Sequence, residues 1–543
     1  MNGLIMDYPL TIPAILRRTE ALFGHKTIVS RLPDKSLFRY TYADMIPRAK
    51  QLGLALQKLG VQPGDRVGTF CWNHHQHLEC YFGIPGIGAV LHTLNLRLHP
   101  DDLTYIANHA DDKIIIVDDV LLELFEPFRD RLNCKHVIVV PTGGEVPDDA
   151  LDYEQLLAAE NPADFVAPEL DERAAAAMCY TSGTTGKPKG VVYSHRAVTV
   201  HSMGAAMRDT LGICEADVVL PIVPMFHANA WGLPFVCALV GASQVFPGPF
   251  LDPESVLDLL ERERATVTGG VPTVWLGVLQ LLDKAPQQHD LSQVRSVIVG
   301  GSAAPRSLIE GLQERHGLTM LHSWGMTEMA PLGTVCNLPS DLIDAPKQQQ
   351  YDHRVKQGFP APFIEIRARG DDGFAPWDGQ AVGELEVRGP WVASAYHDTD
   401  EGAASFTEDG WFRTGDIVSI DSRACIQIQD RAKDVIKSGG EWISSVALEN
   451  ALMGHPAIAE AAVIAVPHEK WQERPLAVAV LKEGASATEA ELIEHLAAQF
   501  AKWWLPDAVV FAGEIPRTSA GKFKKIDLRT RYNDYLLSEK TAQ

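Results

Sequence analysis

The stretch Ala174-Ala-Ala-Ala-Met-Cys-Tyr180, Thr181-Ser-Gly-Thr-Thr-Gly-Lys-Pro-Lys189, Gly190-Val-Val-Tyr-Ser-His195 sets two short apolar runs around a loop of small and hydroxyl residues. The eleven residues from Tyr180 to Gly190 inclusive hold three glycines and four Ser/Thr residues. Such a composition fills a core badly. It suits a loop whose amides and hydroxyls surround phosphate oxygens, because glycine lets the backbone approach a ligand closely and take positive φ. The P-loop pattern G-x-x-x-x-G-K-[ST] fails here, since Gly186-Lys187 is followed by Pro188 and Thr181 stands where the first glycine belongs. A free surface linker does not sit between two apolar runs, so the flanks read as strands.

Outward from this loop, β-branched runs alternate with amphipathic helical stretches: KIIIVDD at 113–119, HVIVV at 136–140, VVLPIVPMF at 218–226 and VRSVIVGG at 294–301. Apolar strands alternating with helices imply an α/β architecture with mixed, largely parallel sheets. From Ile364 the texture shortens to alternating segments (IEIRARG, GELEVRG, IQIQD), which predict an antiparallel β subdomain. Residues from about 435 to the end read as a compact α+β unit with strands at AAVIAVP and LAVAVL. Asp430-Arg431-Ala432-Lys433-Asp434 is the expected junction, giving an N-terminal domain 1–430 and a C-terminal domain 431–543 with a hinge at about 430–435.

Four further motifs follow in order. His322-Ser-Trp-Gly-Met-Thr-Glu328 offers an aromatic face, a hydroxyl and a hard carboxylate; Gly300-Gly-Ser-Ala-Ala-Pro305 follows an apolar strand; Trp411-Phe-Arg-Thr-Gly-Asp416 ends on a carboxylate; Pro516-Arg-Thr-Ser-Ala-Gly-Lys522 ends on a lysine. With the loop at 180–190 this set resembles the adenylate-forming superfamily of acyl-CoA synthetases, luciferases and peptide-synthetase adenylation domains. With milder likeness at FRYTYADM and GVQPGDRVG, it covers essentially the whole chain.

The resemblance implies an ATP-dependent carboxylic acid:CoA ligase that forms an acyl-adenylate and then acyl-CoA, with ATP, Mg²⁺ and coenzyme A. It places Thr181, Ser182, Gly183, Thr184, Thr185, Gly186 and Lys189 around the phosphates. Ser302, Ala303, Ala304, Pro305, His322, Trp324 and Gly325 fall to the adenine, with Trp324 stacking where the family more often has tyrosine. Thr327 is assigned to the α-phosphate, and Glu328 with Thr184 to the metal. Asp416 and Arg431 are assigned to the ribose, because a carboxylate can accept from both hydroxyls. Lys522 is the expected adenylation cation, bridging the acid's carboxylate and the α-phosphate. Lys433 matches the hinge about which the C-terminal domain moves, and Lys437, Gly439, Gly440, Glu441 and Trp442 the segment that meets CoA in the second step. Two departures stand out: Ala447 replaces an acidic residue, although Glu449 is kept, and the turn Arg423–Ala424 lacks the usual glycine, which predicts a different turn.

Within the superfamily, His227-Ala-Asn-Ala-Trp231, VPTVWLG at 271–277, KSGGEWISS at 437–445 and HEKWQERP at 468–475 are similar to bacterial medium- and long-chain fatty acyl-CoA synthetases. His227, Trp231 and Met326 are thereby expected beside the acyl group, with Trp231 as either a tunnel gate or an ordinary core tryptophan. The same blocks occur in ligases for short or methylthioalkanoate acids, so chain length stays open. A carrier-protein acyl ligase and a non-catalytic acyl or nucleotide sensor also fit the same fold. Neither step needs a side-chain nucleophile, and Cys179 is expected to serve packing.

Composition agrees. The 543 residues hold 48 Lys+Arg against 70 Asp+Glu, a formal charge of −22, which argues against a nucleic-acid partner. The longest apolar run, Pro234–Phe246, falls short of the ~20 residues that span a bilayer. No signal peptide is seen, the eight cysteines are scattered, and a cytoplasmic enzyme is expected. Pairing through the N-terminal domain is a family-level expectation. Cys71-Trp-Asn-His-His-Gln-His-Leu-Glu-Cys80 is rich in zinc-type ligands but lacks a finger spacing, and reads as a buried helix instead.

Overall fold

A nine-stranded and a seven-stranded sheet form the body of the N-terminal part. The computed structural model describes residues 1, 3–181, 187–286, 288–438, 441–468, 470–517 and 522–538, with side chains at 441, 442 and 538 left aside. In the seven-stranded sheet Asp112–Asp118 pairs in parallel with Arg66–Phe70 and His136–Val140, and Val90–Thr93 with Ala175–Tyr180. The last step, Ala175–Tyr180 with Gly190–Ser194, is antiparallel, so the glycine/hydroxyl segment joins two neighbouring strands. In the nine-stranded sheet the parallel strands Val218–Pro221, Val267–Gly270, Ser296–Val299 and Met320–Gly325 lie side by side. The run 218–226 is strand only as far as Pro221; Ile222 and Val223 both donate to the Gly269 carbonyl and the chain leaves the sheet.

One apolar cluster fuses the two sheets. Val67, Leu91, Ile114 and Ala177 from one share it with Ile28, Val219, Val267 and Ile298 from the other. Burial of this kind, at about 25 cal/mol per Å² of apolar surface, makes the two sheets one body. The stretch at 71–80 resolves into Asn73–His74 and a fully buried helix, His75–Gly86, as expected. The segments from 364 form a five-stranded antiparallel sheet built from Gly373–Phe374, Glu365–Gly370, Val382–Arg388, Phe412–Ile420 and Ile426–Arg431. The C-terminal part is a second five-stranded sheet centred on the hairpin Ile458–His468 with Gln472–Leu481.

Ala424 takes φ 64°, so the Asp421–Cys425 turn holds a left-handed conformation at a residue that bears a side chain. Asp421 supports it by accepting from the Arg423 and Cys425 amides at 2.9 and 3.0 Å.

Gly358 joins the nine-stranded sheet to the antiparallel one, its carbonyl accepting from Ile426 N at 2.9 Å. Its φ is +92°, and a Cβ there would stand 2.1 Å from the Val335 carbonyl carbon. Both facts demand glycine. Gly358→Ala is expected to cost about 2 kcal/mol or more and to lower the apparent melting temperature by several degrees; an unchanged melting curve would mean that the junction yields freely.

Candidate functional site

The parallel strands of both sheets deliver their carboxyl ends to one cavity of about 450 Å³. That is where open α/β sheets bind ligands, because loops and helix starts converge there. Thr181 follows Ala175–Tyr180, His227 follows Val218–Pro221, Gly300 and Gly301 follow Ser296–Val299, and Trp324 to Glu328 end Met320–Gly325. The antiparallel sheet adds Thr414 and Gly415, and the C-terminal part adds Lys522. A smaller adjoining cavity, about 200 Å³, is walled by Ser302, Ala303, Trp324, Asp416 and Arg431.

Asp416 is the best-held group. Its carboxylate is 2% exposed; Oδ2 accepts from Trp324 Nε1 at 2.8 Å and Oδ1 pairs with Arg431 Nε at 2.7 Å. Trp324 therefore does more than present a face, since its indole N–H fixes the neighbouring carboxylate. Glu328 Oε1 accepts from the Tyr396 hydroxyl at 2.8 Å, and Lys189 Nζ lies 5.3 Å from the Tyr396 ring centroid. Tyr193 donates to the Thr327 carbonyl at 2.6 Å. Tyr396 and Tyr193 were not singled out from sequence; each lies outside the recognisable motifs and reaches the site only through the fold.

Lys522 enters this cavity from the other domain. Burial, followed by the charge of Arg431, pushes its ammonium down to about 8, while Asp416 and Glu328 pull the other way. Burial holds His227 neutral with a pKa lowered to about 4, assisted by the charges of Lys522 and Arg97. Lys433 also lines the cavity and is lowered by burial.

Trp231 and Met326 line the same space, and the Trp231 ring packs beside Gly269 and Gly300. Trp231 is thus a wall of the cavity as well as a contact of the core. Thr327, Gly325 and Lys189 line it too. His322 lies beneath the 302–304 turn instead, 1% exposed, with Nε2 accepting from Ala304 N at 3.3 Å. Ala304 is buried there and Pro305 precedes the helix Arg306–His316. Lys437 is exposed on the strand Ile436–Ser438 and lines neither cavity. Ser182, Gly183, Thr184, Thr185, Gly186, Gly439 and Gly440 lie outside the described residues, as do the side chains of Glu441 and Trp442. Cys179 is a packed thiol, raised to about 11 by burial.

A cation, two carboxylates, a hydroxyl and an aromatic ring around one cavity can hold a phosphate ester and the carboxylate that attacks it. Glu328 and the Thr327 hydroxyl are hard oxygen donors at the cavity wall, the type that suits Mg²⁺.

Comparison with known proteins agrees with this geometry. Residues 16–397 match the family described as AMP-binding enzyme, and residues 447–522 match the AMP-binding enzyme C-terminal domain. The chain is 50% identical to a long-chain-fatty-acid–CoA ligase of Thermus thermophilus, over 98% of this chain and 97% of that one. It is 43% identical to a 3-methylmercaptopropionyl-CoA ligase of Ruegeria lacuscaerulensis, over 99% and 100%. Among solved structures, the anthranilate CoA ligase AuaEII in complex with anthranoyl-AMP superposes with a TM-score of 0.86 at 28% identity, covering 97% of this chain and 98% of that one.

The indole-to-carboxylate bond gives a direct test. Trp324→Phe keeps an aromatic face and removes only the N–H that holds Asp416. A hydrogen bond to a charged group is worth about 1.5–3 kcal/mol, so KM for ATP is expected to rise by roughly tenfold or more with kcat little changed. A KM within twofold of the parent would show that Arg431 alone positions Asp416.

Proposed function

Since the chain belongs to the AMP-binding enzyme family, we propose that it activates a fatty acid of medium or long chain as its adenylate and transfers the acyl group to coenzyme A. It is an AMP-forming acid–thiol ligase. In the first step a carboxylate oxygen attacks the α-phosphorus of ATP and pyrophosphate leaves. In the second the CoA sulfur attacks the acyl carbon, its proton is lost, and AMP leaves. Both nucleophiles belong to substrates, so positioning and charge stabilisation carry the rate.

The observation that carries this reading is the half-buried Lys522 in the cavity walls, beside Glu328 and Arg431 in one cavity and Asp416 in the adjoining one. In the proposal its ammonium bridges the acid's carboxylate and the α-phosphate while charge builds between them. Thr327 donates to the α-phosphate, Asp416 and Arg431 hold the ribose, and Trp324, Gly325, Ser302 and Ala303 receive the adenine. Neutral His227 stands beside the acid's carboxylate without adding charge of its own, and Trp231 and Met326 border the acyl chain. Glu328, with Thr184, would hold Mg²⁺, which supplies charge neutralisation of the phosphates when bound.

The second step needs a different wall, because Lys522 occupies the space the thiol must reach. We place the hinge at Lys433, with Lys437–Trp442 turning inward as Lys522 leaves. The docked arrangement is held by local bonds: Asp430 Oδ2 accepts from Ser445 N at 2.7 Å, and Ser444 Oγ donates to the Gln429 carbonyl. A cytoplasmic location and pairing through the N-terminal domain complete the proposal. Among the described residues no helix is long and apolar enough to cross a membrane. A second reading, a ligase for methylthioalkanoates, is favoured by the Ruegeria relative.

Pyrophosphate release across straight-chain acids of two to eighteen carbons, plus 3-methylthiopropionate, with and without CoA, separates these readings. A CoA-dependent optimum at eight carbons or more is expected, and Trp231→Ala is expected to move it. An optimum on the sulfur acid would favour the second reading.

Lys522→Ala is expected to slow adenylation by roughly 10²–10³ and to spare thioester formation from supplied acyl-AMP. Equal losses in both steps would remove Lys522 from the first. The charge on Lys522 is present below its pKa of about 8 and lost above it. Adenylation kcat/KM should therefore decline above that pH, and the decline should move upward in Lys522→Arg.

A further inference from the structure

Away from the cavity, three soft or borderline donors from separate segments meet. Cys336 follows the strand Leu332–Val335, His353 lies on the helix Lys347–Arg354, and Cys425 ends the turn before the strand Ile426–Arg431. They are 1%, 4% and 1% exposed, and one ligand atom from each lies within 4.8 Å of the others. The neighbouring Cys425 thiol, together with burial, pushes the Cys336 thiol up. Cys336 also donates to the His353 carbonyl at 3.2 Å, whereas Cys425 reaches only its neighbour's carbonyl, at 4.0 Å.

We propose that Cys336, His353 and Cys425 form a site for a thiophilic divalent cation of the zinc type, which staples the antiparallel sheet to the nine-stranded one. Zinc takes thiolate sulfur at ~2.3 Å and imidazole nitrogen at ~2.0 Å in tetrahedral geometry, which sets ligand atoms roughly 3.5–3.8 Å apart. The three side chains need to draw together by about 1 Å at most. His353 is already oriented by an outer partner, its Nε2 lying 2.9 Å from the Asn337 carbonyl. A neutral imidazole that donates from Nε2 carries its lone pair on Nδ1, and a backbone carbonyl is a usual partner for the second nitrogen of a metal-bound histidine.

Charge also fits. Two thiolates and a neutral imidazole around a dication sum to zero, so burial of the assembly costs little. Cys425 and burial hold Cys336 as a thiol in the absence of metal, and the charges of Arg354 and Lys356 oppose them; Lys356 is itself paired with Asp421 at 2.7 Å. A fourth position falls to water. On binding, each cysteine releases one proton to solvent and the sulfur lone pair enters the metal bond, with no change of oxidation state.

A second buried cluster provides the contrast. In Cys71, His74 and Asp118 the donors already serve one another and the backbone: His74 Nε2 with Asp118 Oδ1 at 2.8 Å, His74 Nδ1 with His77 N at 3.2 Å, and Asp118 Oδ2 with Trp72 N at 2.8 Å. That network would have to be broken to admit a metal.

The position gives the staple a purpose. Cys336 N donates to the His322 carbonyl at 2.8 Å, two residues before Trp324, while Cys425 opens the strand whose end carries Arg431. The metal would thus fix the sheet bearing Trp324 against the sheet bearing Asp416.

The test uses the full chain, reduced, stripped with a chelator and titrated with Zn²⁺ or Co²⁺ alone. Expected are one equivalent bound per chain, a thiolate-to-cobalt charge-transfer band in the near ultraviolet, and a melting temperature raised by several degrees by Zn²⁺. Cys336→Ser and Cys425→Ser should each lower metal retention at least tenfold, and Cys71→Ser should leave it unchanged. Adenylation activity reports whether each variant has folded, and the wild-type cobalt spectrum needs no variant at all. No charge-transfer band at one equivalent, retention that survives both serine variants, or a Cys336–Cys425 disulfide in protein whose reduced form takes up no metal would each overturn the proposal.

Discussion

A lysine ammonium drawn out of water needs anionic company, and the whole active arrangement turns on supplying it to Lys522. Asp416 and Glu328 provide that company across a domain boundary, and burial still lowers the ammonium to about 8. The two carboxylates are in turn fixed by neutral or cationic donors: the Trp324 indole and Arg431 on Asp416, and Tyr396 on Glu328. Fixing the carboxylates in this way presets the charges around Lys522, which is preorganisation in the electrostatic sense.

Within the C-terminal domain a second buried set, Lys525 with Glu449 and Ser445, holds the segment that carries Lys522, and Ser445 N in turn donates to Asp430. Burial raises Glu449 to about 7, although Lys525 beside it favours the ionised form. Lys525 is three residues from Lys522, so the anchor and Lys522 share one short segment. In the proposed rotation about Lys433 the bond between Asp430 and Ser445 parts, and such separable bonds suit a domain that takes two places in turn.

Much of this was legible in the sequence where one element carries its own signal. The runs at 136–140, 461–467 and 476–481 became strands because alternation and β-branching decide locally. The glycine/hydroxyl stretch fell between two paired strands for the same reason. What needed the fold was any partnership across elements. Nothing in HSWGMTE reveals that Trp324 donates to a carboxylate 92 residues away, and Tyr396 carries no motif at all. His322 belongs to the motif by position, yet its ring supports the 302–304 turn from behind. The Ala424 turn also needed the fold: Asp421 accepts from two amides there, and an alanine stands at φ 64°. Cys336, His353 and Cys425 share no spacing that a sequence pattern could register.

The acyl end of the cavity rests on a strained element. Ala228, Asn229, Ala230, Trp231 and Gly232 run consecutively at φ 44°, 53°, 49°, 58° and 74°, a left-handed turn made almost wholly of side-chain-bearing residues. Each L-residue there costs roughly 1–2 kcal/mol, so the surroundings must impose it. Buried Asn229 bonds Tyr81 and accepts from Cys179 at 3.4 Å each, and at Gly232 any Cβ would meet the His201 ring at 2.6 Å. A right-handed turn would send the side chains after His227 along different directions, and Trp231 would lose its place over Gly269 and Gly300. In the proposed function this turn sets the distance between His227, at the carboxylate end, and Trp231, along the acyl chain, so that chain-length selection becomes a property of the turn and the groups that clamp it.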